Sequence, residues 1–323
     1  MHAGHHQTGP ASGRNLIDHG ELAAMAELGT TLNGQHQSTQ SQHHHATTQG
    51  QHGATQGQRG AAHGQHPGGQ GQHPGGHEQH GSTHRPAAAG RLPSLLIATR
   101  HGESTANVEF QLAEAAGALS VPISCRDADI PLSLHGRQQA QALGHWWAAL
   151  PSADRPRSVW CSPYVRTAET ARIALAQAAG LGAVPVTLAV RYDERLRDRE
   201  LGILEMLPKA AIEAKHPEEA ARRRKMGELY YRPPGGESWA DVALRVRSLL
   251  RDLCEEEAGR PVLVVAHDCT VLMLRYALDR LTEEQLTALG PVHNCSTSLW
   301  RAQDGRLRPD GWNGVGHLVP GGD

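Results

Sequence analysis

From residue 91 onward, apolar and polar positions alternate between two patterns. SLLIAT (94–99) and PVLVVA (261–266) are short unbroken apolar runs, which predicts strands buried on both faces. RSVWCS (157–162) and VPVTLAV (184–190) predict two further strands, and STSLW (296–300) a last strand at a sheet edge. Between them the spacing is helical. Trp239, Val242, Ala243, Val246, Leu249, Leu250 and Leu253 recur on one helical face, while Arg245, Arg247, Arg251 and Asp252 take the other. Ser133 is placed to cap a helix carrying Ala140, Leu143, Trp147 and Leu150 on one side, and 164–179 and 270–278 read as two more. Strands alternating with helices predict a three-layer α/β/α sandwich around a mostly parallel sheet, formed as one domain by residues 91–323.

Residues 1–90 follow neither pattern. They hold 15 of the 22 histidines but seven of the 64 charged Asp, Glu, Lys and Arg residues. The unit GQHPGG stands at 64–69 and again at 71–76. Ordering such a segment costs roughly 1–2 kcal/mol per residue in backbone entropy, with little apolar area to offset it. The expectation is a disordered His/Gln/Gly-rich tail, with a short amphipathic helix at 15–28 as its one structured candidate. His43, His44, His45 and the His-Pro repeats are candidates for weak divalent metal binding, against the plainer reading of a solvated extension or a misassigned start.

Composition narrows the function. The longest apolar runs fall far short of the roughly 18 residues a membrane helix needs, and no basic segment followed by an apolar one marks a secretory signal. A net charge of -2 argues against electrostatic nucleic-acid binding. The five cysteines, Cys125, Cys161, Cys254, Cys269 and Cys295, form no CxxC pair, which suits reduced thiols in a cytoplasmic protein better than disulfides or a zinc site.

The topology also says where chemistry should gather, because ligands of open α/β sheets bind beyond the carboxyl ends of the strands. Two predicted strands run into a histidine there: SLLIAT into Arg100, His101, Gly102 and Glu103, and PVLVVA into His267 and Asp268. Further motifs follow in order: RHGESTAN at 100–107, LSLHGRQQA at 132–140, SPYVRTAET at 162–170, DERLRDRELG at 193–202, PPGGES at 233–238, VVAHD at 264–268 and NCSTS at 294–298. In this order the series resembles the histidine phosphatase superfamily, the phosphoglycerate mutase-like family. The resemblance spans essentially all of 91–323 and none of the tail.

The resemblance implies phosphoryl transfer through a phosphohistidine, without a metal or other cofactor. His101 matches the family's nucleophile, Arg100 and Arg166 its phosphate-binding arginines, Asn107 a phosphate-contacting asparagine and His267 the second histidine. Aligning Leu196 and Gly202 puts Asp198 where the family carries a glutamate proton donor. Glu200 and Glu194 stand nearby as alternatives.

Such chemistry needs these side-chain types. A phosphomonoester is anionic, so positioning and charge stabilisation dominate. A neutral imidazole attacks in line, guanidinium forks grip the equatorial oxygens, and a carboxylic acid protonates the leaving alcohol. The expected function is a phosphatase acting on a small anionic phosphorylated substrate. The alternatives are a phosphoglycerate-type mutase and a non-catalytic phosphate-binding or scaffold protein. The stretch from Val108 to Pro131 differs from the short Trp-Asp segment of mutases, which favours the phosphatase. Glu169, Thr167 and Thr170 read as helix-start residues, and His135, His145, His216, His293 and His317 as ordinary. Arg222, Arg223, Arg224 and Lys225 read either as a basic rim or as a solvated helix face. Gly235 and Gly236 read as a loop, with Ser238 capping the helix that follows.

Overall fold

A computed structural model describes residues 92–318. The expected tail, with its 15–28 helix and its metal-binding tract, lies outside the described residues.

Six strands form one sheet: β1 (Leu95–Arg100), β2 (Ser158–Cys161), β3 (Val190–Tyr192), β4 (Pro261–Ala266), β5 (Thr297–Gln303) and β6 (Arg306–Gly314), in the order β3-β2-β4-β1-β5-β6. The β1–β4, β2–β4 and β2–β3 pairings are parallel, whereas β5 runs antiparallel to β1, and β6 to β5. Eight helices accompany them among the described residues: α1 (Thr105–Ala116), α2 (Leu134–Ala149), α3 (Val165–Gly180), α4 (Lys209–Lys215), α5 (Pro217–Met226), α6 (Trp239–Glu256), α7 (Asp268–Asp279) and α8 (Glu283–Thr287).

The period-two alternation of the central strands builds two cores. Leu96, Ala98, Trp160, Val262, Val264 and Ala266 point to one face, where α6 and α7 cover them. Leu95, Ile97, Val159, Cys161, Leu263 and Val265 point to the other, beneath Trp147 of α2 and Ala171 and Ala178 of α3. Every residue of β1 and β4 is buried, as their unbroken apolar runs require. This is the expected three-layer α/β/α sandwich. Ser133 and Ser238 cap α2 and α6 as their positions predict, each accepting a bond from the backbone N–H three residues on.

Three expectations need correction. The run 184–190 is not a strand: Pro185 breaks it, Val186 is 85% exposed, and sheet pairing starts at Val190. The strand at 297–303 is not an edge, because β6 pairs outside it. Residues 306–314 are charged, contain Pro309, and bury Leu307 alone, so they carry no apolar signal. Arg245 does not sit on a solvent face of α6; its side chain is 9% exposed and turned onto the 195–198 loop. Of the basic run, Arg223, Arg224 and Lys225 stand in the last turn of α5, where positive charge complements the helix dipole; Arg222 pairs with Glu219 and Arg223 with Glu228.

Candidate active site

Three neighbouring strands end at one place, and each leads into a helix N-terminus. β1 leads through His101 to α1, β4 through His267 to α7, and β2 through Ser162 to α3. Parallel registry of β1 with β4 sets the two histidines side by side. The His101 N–H donates to the Ala266 carbonyl at 3.0 Å, and the rings sit 5.2 Å apart, centre to centre. Backbone N–H groups at helix starts favour an anion at such a convergence.

His101 is buried, and its Nδ1 lies 2.7 Å from the Gly102 carbonyl. With the proton on Nδ1 donated to that carbonyl, Nε2 keeps its lone pair. Arg166, also buried, donates from Nε to this Nε2 at 3.2 Å. Burial first, then the positive charge of Arg166, hold the His101 pKa well below its ordinary value, so the ring is neutral at pH 7.

Arg166 also ties two carboxylates together. Its NH2 donates to Asp127 Oδ2 at 2.9 Å and to Asp198 Oδ2 at 3.0 Å, and its NH1 to the Asp127 carbonyl at 2.6 Å. Asp198 Oδ2 lies 3.3 Å from His267 Nδ1. Burial alone would raise the Asp198 pKa, but His267, Arg166 and the Arg199 N–H together pull it well below the usual carboxylate range. Burial lowers His267 to about 4, against the pull of Asp198. Its Nε2 lies 2.8 Å from Ser162 Oγ, which leaves Nδ1 facing Asp198. Tyr164 walls this side, its ring edge-on to His267 at 5.0 Å and beneath the Arg166 guanidinium at 5.1 Å.

The structure therefore gathers His101, His267, Arg166 and Asp198 into one cluster, linked in the order His101, Arg166, Asp198, His267. Arg100 is buried beside them, its NH1 donating to the Val292 carbonyl, and its charge helps to lower both imidazoles. Asn107 joins less directly. Its Oδ1 accepts from the Ser104 N–H and hydroxyl in a capping box and from Asn294 Nδ2, which leaves its own amide hydrogens as the groups able to meet a ligand. Glu200 stands outside the cluster, 3.4 Å from the Tyr164 hydroxyl, and Glu194 begins the short turn ending at Leu196.

Several supporting residues escaped the sequence reading. Thr170 is not at a helix start: it lies within α3 and accepts the Gly102 N–H at 3.0 Å. Glu169 accepts the Leu132 N–H and pairs with Arg137, while Thr167 bonds the carbonyls of Ser162 and Tyr164. Asn294 bonds the His101 carbonyl at 3.0 Å. Arg245 donates to the carbonyls of Arg195, Arg197 and Asp198, and Thr270 to that of Arg197. Ser162 and Arg245 had a readable signal, the first at a strand end and the second as a cation about two turns past a capped helix start. Among the described residues no group of three or more His, Cys, Asp or Glu is arranged to hold a metal ion, and no helix is long and apolar enough to cross a membrane.

Comparison with known proteins agrees with this geometry. The chain is 35% identical over 195 residues to 2,3-bisphosphoglycerate-dependent phosphoglycerate mutase 2 of Gloeobacter violaceus, covering 60% of this chain and 79% of that protein. It is 32% identical over 222 residues to glucosyl-3-phosphoglycerate phosphatase of Mycobacterium tuberculosis, covering 66% and 86%. A solved mycobacterial glucosyl-3-phosphoglycerate phosphatase complexed with VO3 superposes with a TM-score of 0.53 at 30% identity, over 69% of this chain and 100% of that one. The sequence model of the histidine phosphatase superfamily, branch 1, matches residues 96–314. The chain belongs to the histidine phosphatase superfamily.

Proposed function

We propose that this protein is a phosphatase that hydrolyses a small phosphomonoester through a phosphohistidine at His101. The observation that carries the reading is the continuous chain of contacts from His101 through Arg166 and Asp198 to His267, with separations of 3.2, 3.0 and 3.3 Å.

The steps follow from these groups. The Nε2 lone pair of His101 attacks phosphorus in line as the ester P–O bond breaks. Asp198, as the carboxylic acid, gives its proton to the departing oxygen. Asp198 is held ionised by its contacts with His267 and Arg166, so its acid form is expected once a phosphate dianion sits beside the Arg166 and Arg100 guanidiniums and offsets their charge. The resulting carboxylate then takes a proton from water, water attacks phosphorus, and the P–N bond breaks to restore neutral His101. Arg100, Arg166, Asn107 and His267 Nδ1–H grip the phosphoryl oxygens throughout.

The substrate class is supported by the family and by two relatives whose names include phosphoglycerate. A mutase reading, in which phospho-His101 returns its group to a second acceptor, draws on the similarity to the Gloeobacter mutase. The unpaired cysteines, with Cys161, Cys269 and Cys295 buried, favour a reducing cytoplasmic setting. The catalytic unit is taken as residues 91–323, with the tail outside it.

The test is a phosphate-release assay on p-nitrophenyl phosphate and a panel including 3-phosphoglycerate and glucosyl-3-phosphoglycerate, with acid quench to trap phosphoenzyme. Turnover and a phosphoenzyme lost together in His101→Ala are expected. A His101→Ala protein retaining its rate within a few-fold would refute the reading. Interconversion of 2- and 3-phosphoglycerate primed by the bisphosphate would select the mutase instead.

A further inference from the structure

Asp127 enters the site from an unexpected quarter. It begins the short turn Asp127–Asp129 in the long connection between α1 and α2, away from every strand end. There its carbonyl and its carboxylate occupy both terminal nitrogens of Arg166, one of which Asp198 shares, while Nε faces His101. All three guanidinium nitrogens are thus met by protein groups.

On the phosphatase reading, a phosphoryl group attacked by His101 Nε2 must lie beside this same guanidinium. It therefore needs nitrogens that Asp127 holds. A phosphate dianion and a carboxylate on one buried fork repel each other, and the site relieves this by moving one or by protonating it. Asp198 is anchored from behind by Arg245 at its carbonyl and by the Arg199 N–H at its carboxylate. Asp127 is anchored to the site through Arg166 itself.

We propose that Asp127 is a resident anion on the phosphate-binding fork, displaced or neutralised by the substrate phosphoryl group, and so sets how tightly the site takes its substrate. The inference rests on the phosphatase reading and adds a binding determinant to it. The charges facing Asp127 are Arg166 from α3, Asp198, Glu200 and Glu205 from the 198–205 loop, and Arg126 and Asp129 on its own segment; Tyr164 feels its charge as well. Burial first, then Asp198, raise the Asp127 pKa against the pull of Arg166, so protonation on substrate arrival is within reach.

The test is calorimetric titration of the full chain with sulfate, whose charge is constant from pH 8 to 4.5, using wild type, Asp127→Asn and Asp127→Ser. At pH 7.5 both variants are expected to bind sulfate about tenfold more tightly, since a like-charge neighbour has been removed. Equal or weaker binding by both variants at pH 7.5 overturns the inference. A wild type that binds sulfate while the variants do not differ overturns this inference alone. A wild type that neither binds sulfate nor hydrolyses p-nitrophenyl phosphate overturns the phosphatase reading and this inference with it.

Discussion

The Nε of Arg166 lies 3.2 Å from Nε2 of His101, so the proposed nucleophile and the proposed phosphate fork form one packed unit. The same guanidinium reaches Asp198 through NH2, so the proposed acid and nucleophile are held by two nitrogens of one rigid plane. A lysine keeps the charge but loses the plane. Arg166→Lys is expected to lower kcat/KM for p-nitrophenyl phosphate by about 10²–10³, the usual loss for one preorganised donor. Steady-state kinetics, with circular dichroism to verify folding, would check this. A loss of less than about threefold would show that charge alone suffices there.

Asp198 and Glu200 make different contacts, and the kinetics should separate them. Asp198 meets Arg166 and His267, whereas Glu200 reaches the Tyr164 hydroxyl and is 48% exposed. Asp198→Asn should slow alkyl phosphates by about 10²–10⁴ and p-nitrophenyl phosphate much less, because the aryl leaving group needs little protonation. Glu200→Gln should leave both within a few-fold. A reversed pattern in single-turnover rates would move the donor to Glu200.

The parts of this molecule that were readable in sequence share a physical cause. β1 and β4 are buried on both faces, so Leu95–Ala98 and Pro261–Ala266 are unbroken apolar runs, and the histidine candidates stand directly at their ends. β6 lies at the sheet edge with mostly exposed positions, and nothing constrains its sequence to look like a strand. Within the site, His101, His267, Arg166 and Asp198 sit in local motifs. Asp127 reaches Arg166 across 39 positions of sequence, and Arg245 reaches Asp198 across 47. Contacts of that range arise from how loops fold back over the sheet, and local spacing carries no record of them.

Titration of the buried imidazoles should be visible in stability. His267 falls from an ordinary value near 6.5 to about 4 in the fold, and His101 is lowered as well. Between those pH values the unfolded chain binds protons that the native state refuses, so this contribution is lost as pH falls. Glu205 works in the opposite sense: burial, with Asp127 adding to it, raises its carboxyl to about 7, and acidification stabilises the fold through it. Comparing wild type with His267→Gln removes the Glu205 contribution from the difference. Urea denaturation from pH 7.5 to 4.5 should show wild type losing more stability than the variant, by on the order of 2 kcal/mol. A variant that loses as much as wild type would mean that His267 is not held neutral.

Two glycines close the turn after β1. A Cβ on Gly136 of α2 would stand 2.0 Å from the Glu103 carbonyl oxygen, and one on Gly102 would stand 2.4 Å from the Gly136 oxygen. Both obstacles are backbone, so neither can rotate away, and α2 would have to lift from the segment that follows His101. Gly136→Ala is expected to cost about 1–3 kcal/mol and to slow phosphoenzyme formation. Gly180→Ala, with open space around it, should be close to neutral in a thermal melt. Equal melting temperatures for the two variants would mean that the packing at Gly136 yields more easily than its backbone contacts imply.

Arg245 gives the positioning of Asp198 a mechanical basis. Its guanidinium donates to the carbonyls of Arg195, Arg197 and Asp198 at 2.8, 2.9 and 3.0 Å, and it pairs with Glu237. Glu237 in turn accepts from Arg197 and from the Glu200 N–H. The loop is thus held on both sides of Asp198 by one ion pair rooted at the start of α6. Arg245 touches no reacting group, so its removal should act on where the carboxyl sits. Arg245→Lys keeps the charge for Glu237 but cannot meet three carbonyls in that geometry. The expected result is a fall in kcat of about tenfold for alkyl phosphates, with KM little changed and p-nitrophenyl phosphate less affected, since a misplaced acid matters most where protonation is needed. An equal loss on both substrate types would indicate general loosening of the fold, and no loss at all would show that the loop holds Asp198 without Arg245.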